Sequence, residues 1–277
     1  MLSLVFFWLL LFCYKISNEK AVGTKLVESE KQICGDNVTD QRSRLEYAFV
    51  DLCNIQRLNI SILNETELLS SRNQPFIYVF PTGWNLEFSE HVQKNSLVSK
   101  LGDMKVELAS SNSYSHDRMK VPLKMYLEEI LPKQGKSSKS NETYYLFGSN
   151  HGERWEDLLS HYRRPPCTTC GKEAALSFGV GGVGSGVAFH THGPGFSEVL
   201  HGRKRWYLYP PDYSLEWDPD ATQVSWLNEV YPHLPENQRP LECTLYPGEA
   251  LYFPSEWIHA TLNLDEYTVF ISTFTLE

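Results

Sequence analysis

The chain has 277 residues, long enough to bury a large core without disulfides or metals to hold it together. Its composition is that of a globular protein, 42% hydrophobic and 21% charged, and 7 Trp, 15 Tyr and 14 Phe lean it towards β structure. A net charge of -9 excludes nucleic acid as a main partner, because phosphate binding needs clustered Lys and Arg.

The apolar run from Leu2 to Phe12 is too short to cross a bilayer, which takes about 20 residues, but it suits the core of a secretory signal peptide. Cleavage is expected after Gly23. Residues 1–23 then leave, and the mature chain carries no membrane span; a retained anchor is the alternative. Sequons follow at Asn37, Asn59, Asn64 and Asn141. Four of them behind a hydrophobic leader agree with passage through the endoplasmic reticulum, so a lumenal location is expected, with secretion as the alternative.

Beyond the leader lie Cys34, Cys53, Cys167, Cys170 and Cys243, an odd number that cannot all pair within one chain. In an oxidising lumen the expected disulfide is Cys34 with Cys53. Cys167 and Cys170 have redox spacing, but they follow Pro165-Pro166 and no helix opens after them, which argues against a thioredoxin-like role.

Residues 24–74 are polar and weakly periodic and read as an N-terminal extension, with a helix over 43–52. The main domain is expected to run from 75 to 277, opening on a strand at 75–80. Helices are expected at 121–131 and 155–162, with a loop at 134–141. From Ala174 onward the pattern changes to short β runs broken by Gly and Pro, which predicts an antiparallel sandwich or barrel. Gly179, Gly181 and Gly184 match a dinucleotide-binding spacing. However, strand-forming residues follow where a helix would have to begin, so that reading fails.

His190 and His192 sit two residues apart in a run read as a strand, so both rings would face one side. His259, after the Pro247-Gly248-Glu249 turn and a strand, is the candidate third ligand. The bland alternative is strong: a histidine in a β core is more often simply hydrogen-bonded. Lys204 shares a strand face with Trp206 and Leu208, so it can point inward, where it needs an anionic partner. Its alternative is a surface lysine, with Arg203 and Arg205 on the other side.

The Phe189-His190-Thr191-His192 segment, the 202–211 run, the Pro247-Gly248-Glu249 turn and the segment 257–265 occur in an order that resembles the JmjC (jumonji C) family. Its members are cupin-fold dioxygenases that use Fe(II) and 2-oxoglutarate. The resemblance spans 75–277 and implies a mainly β protein with helical N-terminal additions, built on a double-stranded β-helix, or jelly roll. It implies iron held by His-x-Asp/Glu and a distant His, and 2-oxoglutarate anchored by a lysine. Carried onto this sequence, His190 and His259 are metal ligands and Lys204 the carboxylate anchor.

The departures fall at the same place. His192 stands where the family has an acid, Val187 where a Thr is frequent, and Thr273, at a cosubstrate-binding position, where Asn is frequent. Three neutral imidazoles leave a dication's charge uncancelled and suit Zn(II), Cu or Ni at least as well as iron. The expected function is therefore a lumenal regulatory or interaction protein with a degenerate metal site. Its partners would be proteins, a second copy of the chain among the candidates. The alternative is a 2-oxoglutarate-dependent protein hydroxylase of the secretory pathway that uses the three-histidine site.

Overall fold

The computed structural model describes residues 46–50, 52–63, 73–110, 118–134, 143–148, 150–166, 175–218 and 221–275. The leader, Cys34, the Cys167 and Cys170 pair, and the sequons at Asn37, Asn64 and Asn141 lie outside them. Asn59, the remaining sequon asparagine, is exposed at the end of β1 (Gln56–Asn59).

The chain is mainly β. Nine strands form one sheet in the order β1-β2-β10-β7-β12-β6-β5-β3-β4, and three form a second in the order β11-β8-β9. The strands are β2 (Phe76–Val79), β3 (Lys105–Ser110), β4 (Met119–Pro122), β5 (Tyr144–Phe147), β6 (Ala175–Gly181), β7 (Gly195–His201), β8 (Lys204–Tyr209), β9 (Leu241–Leu245), β10 (Glu249–Phe253), β11 (Ile258–Asn263) and β12 (Thr268–Phe274). All pairings are antiparallel except that of β1 with β2. Two facing antiparallel sheets of this kind make the jelly roll the sequence implied. The extension joins the main fold, since β1 adds an edge strand to the large sheet.

Alternation along each strand divides the core into layers. Ile77, Val199, Trp206, Leu208, Leu245, Leu251 and Phe253 fill the space between the sheets. On the outer face of the large sheet, Phe178, Val180, Val269 and Ile271 receive apolar side chains from α1 (Leu86–His91), α2 (Lys94–Leu101), α3 (Leu123–Met125, continued by a π-helical turn, Tyr126–Ile130) and α4 (Glu153–Ser160). On the outer face of the small sheet, Tyr207, Tyr209, Ala260 and Leu262 pack against Trp226 and Leu227 of α5 (Gln223–Glu229) and against Tyr231. Apart from the exposed edge strand β1, the outer faces of both sheets are covered among the described residues, and that governs the fate of several polar residues.

Three local expectations are corrected. The helix expected over 43–52 is only a 3-10 turn, Glu46–Phe49, among the described residues. Cys53 pairs not with Cys34 but with Cys243, 190 residues away on β9; parity turns Cys243 into the space between the sheets, against the returning extension. Residues 182–194 are not a strand. They run irregularly beside β11, tied by Asn263 N to Ser185 O (2.7 Å), Thr261 N to Val187 O (2.9 Å) and a two-bond bridge between His190 and His259. The approach depends on Gly186, where a Cβ would lie 1.9 Å from the Thr261 carbonyl oxygen.

Candidate metal centre

The bridge sets the site. Because His190 and His259 are directly paired, their rings lie side by side, with centroids 4.2 Å apart, and His192 closes the group at 5.2 and 4.7 Å. One ligating nitrogen from each ring lies within 4.8 Å of the others. His259 is buried; His190 and His192 are half-buried. The three rings meet as the sequence suggested, although a bridge and not a continuous strand brings them there.

Hydrogen bonds select the tautomers. Each Nδ1 lies against a backbone carbonyl oxygen: His190 on Ala188 at 2.8 Å, His192 on Gly193 at 2.7 Å, and His259 on Trp257 at 2.7 Å. Nδ1 is the donor in all three rings, so in the neutral form every Nε2 presents a bare lone pair. The Nε2 atoms of His192 and His259 face each other at 3.1 Å. Two acceptors at that distance repel unless a cation lies between them. Burial pushes the His190 imidazole down to about 4 and His259 well below the usual histidine range, which disfavours a proton on either of those two rings. A dication with bonds of about 2.0–2.1 Å to imidazole sets neighbouring nitrogens ~3.3 Å apart, close to the observed spacing. The donor set fits a metal, held by His190, His192 and His259; when bound, such an ion supplies Lewis acidity.

Lys204 points inward and is 2% exposed. Its Nζ donates to Asn263 Oδ1 at 3.1 Å and sits 3.8 Å from the centroid of the Phe270 ring. Asn263 is its direct cross-strand partner and in turn donates to Ser185 Oγ at 3.0 Å. Burial with no acid beside it lowers the ammonium to about 7. A lysine depressed from 10.5 in this way makes the folded state bind fewer protons than the unfolded chain between those values. Stability attributable to Lys204 is therefore full above pH 10.5 and lost as pH falls through 7. Urea unfolding between pH 7.5 and 9.5 is expected to show stability rising by up to about 1.4 kcal/mol per pH unit, a slope that Lys204→Met flattens. Equal slopes in the two proteins would refute the assignment.

Thr273 does not reach this cavity. In β12, Phe270, Ser272 and Phe274 face it, and Thr273 turns to the opposite side, beside Tyr162. The carry-over was one residue out of phase; Ser272 is the polar side chain β12 does present, within 3.2 Å of Ser197 Oγ. Asn263 was also missed, although it shares parity with His259. Glu198 lies away from the histidines, buried on the outer face of β7 and accepting from Asn85 at 2.9 and 3.0 Å and Tyr162 at 2.8 Å. Burial raises its carboxyl to about 7.

The fit for 2-oxoglutarate is poor. Phe147, Phe253, Phe270 and Phe274 crowd the space between the histidines and Lys204, leaving about 20 Å³, room for about one water. The lysine that would meet a carboxylate is already held by Asn263 and Phe270.

A jelly roll with three histidines converging at the bridge to its small sheet has the layout of a cupin, and residues 71–274 match the cupin-like domain family. The chain is 50% identical over 190 residues to JmjC domain-containing protein 8 of Rattus norvegicus, covering 69% of this chain and 70% of that protein. Against the protein of the same name from Homo sapiens the identity is 48%, covering 69% and 72%. It is 27% identical over 259 residues to the bifunctional arginine demethylase and lysyl-hydroxylase psr-1 of Caenorhabditis elegans, covering 79% and 60%. The chain belongs to the JmjC, cupin-like family.

Proposed function

We propose that this protein is a non-catalytic JmjC-fold module of the endoplasmic reticulum lumen. In this reading its three histidines hold a divalent ion that stabilises the fold, and it acts by binding another protein. The observation that carries the reading is the narrowness of the cavity: four Phe side chains line the space around the histidines and Lys204 and leave room for about one water. The replacement of the family's acid by His192 agrees with it. For the compartment, the leader and the four sequons are the support, and the Cys53 to Cys243 disulfide is of the kind that persists in oxidising lumens.

A second reading, a secretory-pathway protein hydroxylase, is favoured by the convergence of the three Nε2 atoms and by the hydroxylase named among the relatives. The two diverge on cosubstrate turnover. Purified protein supplied with Fe(II), ascorbate and 2-oxoglutarate is expected to form succinate no faster than the His259→Ala variant. Succinate formed well above that control would replace the first reading with the second.

A further inference from the structure

A second set of metal-ligand side chains converges on the helical layer, on the side of the large sheet opposite the histidine cavity. Glu87 and His91 are four residues apart on α1 and so share a face. His161 is the residue that caps the C-terminal end of α4. Its Nδ1 lies 3.0 Å from a Glu87 carboxylate oxygen, and its ring stacks on that of His91, with centroids 4.3 Å apart. One ligating atom from each of the three residues lies within 4.8 Å of the other two.

An ordinary surface hydrogen bond accounts for Glu87 and His161, but it has no need of His91. That ring is nevertheless oriented: its Nδ1 lies 2.7 Å from the Glu87 backbone carbonyl oxygen, leaving Nε2 as the free ligand atom. A backbone carbonyl that fixes the tautomer in this way is the usual support of a metal-ligating imidazole. Ligand atoms around tetrahedral Zn(II) lie ~3.3 Å apart. Closing from 4.8 Å is within the rotamer freedom of an exposed glutamate and two half-buried histidines.

We propose that Glu87, His91 and His161 form a surface site for a borderline divalent ion of the Zn(II) class, with a fourth position open to water. The ion clasps α1 to α4. Asn85, immediately before α1, and Tyr162, just after α4, are the groups that hold the buried Glu198 carboxylate, so the clasp also braces that network.

Full-length, tag-free protein carrying His192→Gln, which disables the interior centre, is titrated with ZnCl2 by calorimetry. One equivalent is expected to bind, and Zn(II) at about 100 times its Kd should raise the melting temperature by roughly 5–10 °C. Adding His91→Gln or His161→Gln should abolish that equivalent, and adding Glu87→Gln should weaken it roughly tenfold or more. Metal-free melting temperatures that match the parent show that the added changes leave the fold intact. Should either histidine variant unfold, Glu87→Gln, a change at an exposed side chain, still decides. Absence of binding in the parent, or an equivalent that survives all three additions, overturns the proposal.

Discussion

Replacing Glu242 with glutamine is expected to destabilise the protein by about 3–5 kcal/mol, a fall in melting temperature on the order of 10 °C for a chain of this size. Glu242 and Arg205 are both fully buried, and Arg205 Nη2 donates to Glu242 Oε2 at 2.6 Å. Much of the remaining capacity of the pair is met locally: Tyr231 donates to Glu242 Oε1 at 2.6 Å, and Arg205 Nη1 reaches Thr244 Oγ1 at 3.0 Å and the Val50 carbonyl at 2.7 Å, while Arg205 Nε is buried without a hydrogen-bond partner among the described residues. Removing the negative charge strands a guanidinium out of water. Replacing both partners with apolar residues, Arg205→Met with Glu242→Leu, removes the stranded charge as well, so the double variant is expected to lose less than Glu242→Gln alone. Chemical denaturation of the three proteins checks this, and a double variant that loses as much as the single one would show that packing and not charge pairing dominates there.

The network also holds the returning extension. Asn54 Oδ1 accepts from Glu242 N at 2.7 Å, its own N–H donates to the Glu242 carbonyl at 3.1 Å, and Cys53 beside it is bonded to Cys243. The buried ion pair and the disulfide therefore act on the same few residues, holding Val50 to β8 and Cys53 and Asn54 to β9.

The second large effect is at the metal centre. His259→Ala removes the buried ligand that faces both other rings, and divalent-ion affinity there is expected to fall by roughly 100-fold or more. His192→Asp restores a charge-cancelling oxygen and is expected to shift preference towards Fe(II), while succinate formation stays absent because the Phe side chains still fill the cavity. Metal titrations in a His161→Gln background read the interior centre alone. Unchanged affinity in His259→Ala would mean the three Nε2 atoms do not act as one site.

Much of the site was legible because strand parity is a strong local rule. It gave Lys204 an inward position and set it on the face opposite Arg205. It misled where phase was carried by resemblance and not counted along the strand, as at Thr273, and where the backbone was not a strand at all, as at His190 and His192. It also could not say what lies beyond a strand's outer face. The sequence set Arg205 only on the face opposite Lys204; in the structure α5 and Tyr231 cover that face, and the guanidinium is buried against Glu242.

Local sequence alone determined the β pattern after residue 174, the helices α3 and α4 and the three imidazoles as candidate ligands, because alternation and turn residues act over a few positions. Tertiary structure alone decided that Cys53 meets Cys243, that Asn263 and Phe270 take up the Lys204 ammonium, and that Glu87, His91 and His161 converge. Each of these contacts joins segments far apart in the chain, and their proximity depends on how the sheets and helices stack, which no local pattern encodes.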